Sequence, residues 1–449
     1  MKKIISVLFL ILVTAVSCSA KYSNMQSFET VWQTVNEKHY DSTFGGMDWK
    51  AVHDRYKPKM AAAKEDAEFY ALTNQMLFEL NLSHLLVATR SDLKRYMPVL
   101  FAEGATGIDI KWINGDAVIS AVKPGTPADK AGLRPGCIIV DVDGKRIDQM
   151  VSNEKLYLTP PFNDRNRRNN LSNYILGHIY GMPDTRVTIT YRNEFEIIEK
   201  KAITRMSRGQ ATSLSPTMPP AFIEFESRRL ADNIGYIRFN HFAAPVDTKF
   251  IAAIETMRDT SGMVIDLRAN PGGFFSVLDT MAEHLLFEKV LLYQYKFRDR
   301  TVDKVIHPVA VPYKKPVAVL IDERSMSCSE LFAGSMQAVK RAVIVGNRSP
   351  GYLLGANWIR LLNGGYFMHT ILQPLPSNGK IIEDNGVMPD IAVNLDRDAL
   401  LEGRDTQLEA AVKHIMEKWD GGKMEYWVLK ADDGLILFSA HCCLVKMRP

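Results

Sequence analysis

Cysteine is scarce in this chain. There are five in 449 residues, at spacings that fit no zinc motif, so neither a disulfide scaffold nor a structural zinc module is expected. An excess of either charge is missing too: 55 Lys and Arg face 51 Asp and Glu, interspersed, for a formal net charge of +4. That balance gives no support for nucleic-acid binding. Also lacking is an apolar run that spans a bilayer comfortably. The longest, Ile4 to Val16, follows Lys2 and Lys3 and reads as an export signal. No internal repeat or low-complexity tract stands out, and no residue pattern implies a metal or an organic cofactor.

What is present is the make-up of a folded protein, 46% hydrophobic and 24% charged. The length predicts about two to four domains. The export signal ends Ala15-Val16-Ser17-Cys18, which resembles the lipobox of bacterial lipoproteins with Ala where Leu is usual. That resemblance implies removal of residues 1–18 as a signal, lipidation of Cys18, and a lipid anchor in a membrane of the cell envelope, on its periplasmic or outer surface. Simple cleavage near Ser19 or Ala20 is the alternative.

Residues 22–92 read as a helical module. Phe28, Val31, Trp32 and Val35 recur at helical spacing, as do Phe69, Leu72, Met76, Leu77 and Leu80, with Gly45-Gly46 as the break. From 100 to 205 the texture changes to short strands, interrupted at 151–185 by a helical insertion carrying Arg165, Arg167 and Arg168. Its run Pro124 to Gly144 resembles a bacterial PDZ domain. That likeness implies that amides near Thr106, Gly107 and Ile108 receive a peptide carboxylate while the peptide adds to a strand edge. A Pro- and Gly-marked linker covers 206–220. In 221–400 strands near Gly235, Met263, Val317 and Ala342 alternate with helices near 247–258, 275–287 and 329–340, which argues for a largely parallel sheet. A helix at 401–420 precedes a tail, 421–449, unlike anything else in the chain.

Chemistry concentrates at Ser327, where the apolar strand Pro316 to Ile321 hands over to a helix. Amides at a helix N-terminus and the positive end of its dipole suit an oxyanion, although a serine there also serves as an N-cap. Three further segments stand out: Ser83-His84 at a helix end, Asn270-Pro271-Gly272-Gly273 after a strand, and Glu383 in a polar loop. These signatures and the PDZ-like run, in this order, resemble the carboxyl-terminal processing peptidases, and more closely their tricorn-core branch. The likeness covers about residues 25 to 400.

The resemblance implies a multidomain α+β protein: an N-terminal helical module, a PDZ-like domain and a crotonase- or Clp-like α/β catalytic domain. It implies a serine endopeptidase of the periplasm or outer surface that cleaves proteins or peptides near their C-termini. Processing peptidases activate their serine with a lysine after the nucleophile's helix. Here no lysine lies between Lys340 and Lys380, and Tyr352 takes its place. The tricorn-like arrangement instead implies Ser327 as nucleophile and His84 as general base. Ser83 and Glu383 would orient the histidine, and amides of Cys328 and of Gly272 or Gly273 would form an oxyanion hole. Cys328 departs from the family's usual alanine; a thiol nucleophile there is the other reading. A non-catalytic peptide- or lipophile-binding protein, or an acyl-CoA enzyme on the same scaffold, are the alternatives in function.

Overall fold

The computed structural model describes residues 23–152, 160, 162–418, 427–431 and 434–438. The export signal, Cys18, Cys442 and Cys443 lie outside the described residues. Of the tail, Trp427–Ala431 and Gly434–Phe438 pair antiparallel.

Three helices open the chain, over 23–38, Trp49–Ala62 and Asp66–Phe78. The second starts where the Asp48 side chain accepts from Ala51 N–H, satisfying a donor that the helix cannot. Each buries one stripe: Phe28, Val31 and Val35; Trp49, Val52, Tyr56 and Met60; Phe69, Met76 and Leu77. This core is not self-contained. Val87, Leu361 and Phe367 complete it, and the last two come from far along the chain. The strand Leu86–Ala88 pairs antiparallel with Tyr366 to Met368, so the module is welded to the catalytic domain by both packing and main-chain hydrogen bonds.

The PDZ region is a sheet whose edge strand is Ile108–Ile113, followed across the sheet by Asp116–Val122, Ile138–Val142, Arg186–Arg192 and Ile198–Thr204. The helical insertion expected at 151–185 contains helix Asp164–Ile179, which packs into this domain's core. Helix Asp164–Ile179 buries Tyr174, Ile175, Leu176 and Ile179 in one cluster with Ile110, Ile119, Ile139 and Ile189. Its place in the core was hidden because it also buries Asn166, Asn169 and Ser172, which blurs the apolar stripe. Gly177 permits a close approach: a Cβ there would stand 2.0 Å from the Arg95 carbonyl.

The catalytic domain is built on a six-stranded sheet in which Ile234–Phe239, Gly262–Asp266, Val317–Ile321, Val343–Gly346 and Ile391–Ala392 run parallel. Phe225–Arg229 closes one edge antiparallel. Helices Val246–Thr256, Phe275–Leu285 and Cys328–Ala338 share the large core on one side. On the other, helix Thr406–Lys418 contributes Ala411 and Ile415 to a cluster with Val264, Ala318 and Leu320. The expected C-terminal helix is thus the second cover of the sheet. A second sheet, centred on the long strand Tyr366–Pro376, carries Leu86–Ala88 on its edge.

Phe367 is fully buried at the seam between module and catalytic domain. Phe367→Ala is expected to cost about 3–5 kcal/mol of stability, read by chemical denaturation. A loss below about 1 kcal/mol would mean that the seam does not hold the module.

Candidate active site

Ser327 sits at the turn between strand and helix with φ 54° and ψ −117°. A non-glycine residue held in such backbone geometry costs about 1–3 kcal/mol and needs neighbours that enforce it. Those neighbours are visible. Its N–H donates to the Tyr352 carbonyl at 2.8 Å and to Glu330 Oε2 at 3.1 Å. Glu330 also accepts from Ser349 Oγ at 2.6 Å, Gly351 N–H at 2.7 Å and Tyr352 N–H at 2.8 Å. One fully buried carboxylate therefore clamps the 349–352 loop against the serine. Burial pushes its pKa up to about 7 against the pull of these donors. Tyr352, unexplained by sequence, contributes its main chain to this clamp.

His84 likewise has a positive φ, 58°. Strand Leu86–Ala88 brings it to the catalytic domain, and Thr370 Oγ1 donates to the Ser83 and His84 carbonyls at 3.3 Å each. The four side chains singled out in the sequence meet in one line. His84 Nε2 is 3.2 Å from Ser327 Oγ, and His84 Nδ1 is 2.7 Å from Ser83 Oγ. Ser83 Oγ donates to Glu383 Oε2 at 2.9 Å. Two backbone amides also donate to that carboxylate, Ser83 N–H at 2.7 Å and Leu353 N–H at 2.8 Å.

The line selects a tautomer. With Glu383 ionised, the Ser83 hydroxyl donates to it and accepts from Nδ1–H, leaving Nε2 unprotonated toward Ser327. Burial holds the His84 pKa down to about 4, so the ring is neutral at pH 7. Burial pushes Glu383 up to about 8, opposed by its donors from Ser83 and Leu353.

The glycine turn lies against this serine. A Cβ on Gly272 would stand 2.6 Å from Ser327 Cβ and 2.8 Å from the Cys328 nitrogen, and φ of +98° at Gly272 and +141° at Gly273 favours glycine at both. The Gly272 amide donates to Asn270 Oδ1 at 2.9 Å. The Gly273 amide has no partner among the described residues, and neither does that of Cys328, the first residue of its helix. Of the two glycines, Gly273 is therefore the one with an amide to offer. The Cys328 thiol points into the core, 3.7 Å from the Phe274 carbonyl, and burial raises its pKa well above the ordinary thiol value. Ser327 and His84 open on a cavity of about 1040 Å³ that Phe274, Met326, Tyr352 and Leu354 also line.

Thr106, Gly107 and Ile108 do not line that cavity. Thr106 is fully buried, and a Cβ on Gly107 would meet Thr126 Oγ1 at 2.1 Å. The edge strand they lead into is already engaged: Arg324 Nη1 donates to the Ile110 carbonyl at 3.1 Å and to Asp109 Oδ1 at 2.6 Å. Beside it, buried Lys111 lies 3.4 Å from Asp322 and 3.6 Å from Glu323. Arg165 donates to the Asp384 carbonyl at 2.6 Å.

Residues 233–393 match the peptidase family S41, residues 21–78 the C1 domain of tricorn protease, and residues 118–153 a PDZ domain. The peptidase family S41 match is thus confined to the domain that holds Ser327. Among the relatives, the carboxyl-terminal-processing protease of Synechocystis sp. is 25% identical over 371 residues, covering 81% of this chain and 79% of the relative. A carboxy-terminal-processing protease of Bartonella bacilliformis is 28% identical over 335 residues, 71% and 68% of the two chains. In fold the chain is similar to mature CPAF (TM-score 0.61, 16% identity, 93% of this chain and 100% of that one). It is also similar to a photosystem II D1 C-terminal processing protease (TM-score 0.55, 21% identity, 84% and 96%). It is a serine-type hydrolase that acts on peptide bonds.

Glu330 is the residue whose part the sequence did not disclose, although it stands in the Ser327-Cys328-Ser329-Glu330 run. Glu330→Gln turns an amide N–H₂ toward groups that all donate. Peptidase kcat is expected to fall about 100-fold, the scale of a small misplacement of a reacting group. Unchanged steady-state kinetics would show that the clamp does not position Ser327.

Proposed function

We propose that this protein is an exported, lipid-anchored serine endopeptidase that cleaves proteins or peptides near their C-termini through an acyl-enzyme. What supports the reading is the unbroken hydrogen-bonded line from Ser327 through His84 and Ser83 to Glu383. In the proposed cycle Ser327 Oγ attacks the scissile carbonyl while its proton passes to His84 Nε2. Ser83 and Glu383 stabilise the imidazolium by holding its Nδ1–H. The amides of Gly273 and Cys328 receive the oxyanion, an interaction whose loss typically costs about 100- to 1000-fold. His84 then gives its proton to the departing amine, and water repeats the sequence on the ester. Export and the anchor rest on the signal and on Cys18; the C-terminal preference rests on the names of the relatives.

Ser327→Ala and His84→Ala are each expected to abolish cleavage, and a fluorophosphonate probe is expected to label Ser327 in the parent protein. A parent that neither cleaves nor labels would turn the reading into that of a peptide-binding scaffold. His84→Ala with full activity would remove the tetrad.

The acid limb of kcat/KM is expected to follow Glu383 rather than His84. Raising pH through about 8 ionises Glu383 and creates the acceptor that the productive tautomer needs, so activity rises with pH and levels above that point. His84, with a pKa near 4, is neutral throughout this window. Glu383→Gln is expected to lower activity about 100-fold and to erase the limb. A limb that persists in Glu383→Gln would assign it to another group.

A further inference from the structure

Glu383 reaches Ser83 from a tight turn. The Asn385 and Gly386 amides both donate to the Ile382 carbonyl, at 2.9 and 2.7 Å, and Asp384 has a left-handed φ of 59°. That reversal sends Glu383 inward to Ser83 and Leu353 and leaves the next residue, Asp384, exposed. The Asp384 N–H is held by the Gly351 carbonyl at 2.8 Å. Its carbonyl and its side chain are held from another domain. Arg165 Nη2 donates to the Asp384 carbonyl at 2.6 Å, and Asn163 Nδ2 donates to Asp384 Oδ1 at 2.9 Å. Both donors stand at the start of helix Asp164–Ile179, whose far half packs in the PDZ core.

Two details show these contacts to be directed. Asn163 is the N-cap of the helix, and its Oδ1 accepts from the Asn166 N–H at 3.0 Å. The cap fixes the carboxamide, so its remaining N–H₂ is presented to Asp384. Arg348 Nε donates at 2.6 Å to the next carbonyl, that of Asn385, so two guanidinium groups converge on one turn. Burial and the neighbouring Arg348 lower the Arg165 pKa, a cost that the oxygens of the turn offset. Contacts this near the surface add little to stability. What they supply is direction, because a turn free to rock would carry the Glu383 carboxylate off the Ser83 hydroxyl. We propose that Asn163 and Arg165 are positioning residues of the peptidase reaction, which hold Asp384 and thereby keep Glu383 aimed at Ser83. Neither lines the cavity of Ser327, so they act on the chemical step and leave substrate binding alone. The proposal deepens the peptidase reading above and rests on it for the part that Glu383 plays.

The test uses the full chain and two readouts. One is kcat and KM on an unstructured peptide carrying a fluorophore and a quencher. The other is the rate at which a fluorophosphonate probe labels Ser327. Arg165→Ala removes one contact. Asn163→Asp keeps the cap acceptor and turns a carboxylate against Asp384. Adding Asp384→Asn to Asn163→Asp restores the hydrogen bond with donor and acceptor exchanged, and asparagine tolerates the left-handed φ. Thermal melting shows which variants are folded.

Arg165→Ala and Asn163→Asp are each expected to lower kcat and the labelling rate about tenfold, with KM within about twofold of the parent, the signature of a displaced reacting group. The paired exchange at 163 and 384 is expected to return most of the lost kcat. In a Glu383→Gln background, Arg165→Ala is expected to cost less than about twofold more, because the group it positions is already gone. The full loss persisting in Glu383→Gln, a rise in KM with kcat unchanged, or parental kcat in both folded variants overturns the proposal. Failure of the peptidase reading is seen separately, as cleavage that survives Ser327→Ala.

Discussion

Everything at the cleavage centre depends on one carboxylate that joins two distant parts of the chain. Glu383 receives both the N–H and the hydroxyl of Ser83, 300 positions away, and the Leu353 amide from the loop between them in space. A buried acceptor with three donors is far more directional than the apolar contact around it. Packing and the Leu86–Ala88 pairing resist a slide of the helical module along its seam. A slide would in addition leave those donors unpaired in a dry interior. The histidine therefore inherits its position from the hydrogen-bonding needs of the serine before it. Glu330 does the corresponding work on the nucleophile's side, so two buried carboxylates fix the two halves of the site.

These requirements explain why the same positions carry backbone strain. Ser327 and His84 both have positive φ, a conformation uncommon for non-glycine residues. In each case the strained residue lies between a regular element and a hydrogen-bond clamp. Among the described residues neither of the two carboxylates bonds a positively charged side chain directly; their partners are hydroxyls and backbone amides. Burial therefore keeps both high in pKa, unlike Asp266, whose buried pairing with Arg268 drives it low. Asp266 serves the sheet, while Glu383 and Glu330 serve the loops that carry the chemistry.

Much of the architecture was legible from local pattern. The strands at Gly262–Asp266 and Val317–Ile321 are continuous apolar runs because both of their faces are covered, and such runs announce a parallel sheet. Ser83, His84, Ser327 and Glu383 were found through order along the chain and family likeness. Nothing local shows that they meet. Three features escaped, each for a physical reason. Helix Asp164–Ile179 was legible as a helix but not as part of the PDZ core, because it buries asparagine and serine as well as leucine. Gly272 and Gly273 are alike in sequence, and only the Asn270 side chain distinguishes their amides. The short strand Leu86–Ala88 draws its stability from a partner some 280 residues later, information that no window of sequence contains. The expected carboxylate loop at Thr106–Ile108 leads into an edge strand whose Ile110 carbonyl accepts from Arg324, three residues before the nucleophile.

The separation of 243 positions between His84 and Ser327 also sets when activity arises. Pairings between remote segments close late in folding, because loop entropy must be spent before they return any stabilisation. The strand Leu86–Ala88 has to wait for Tyr366–Met368, which is synthesised some 280 residues later. A nascent or half-collapsed chain accordingly holds a serine with no base beside it. On the proposed mechanism, hydrolytic power therefore arrives only with completion of the fold.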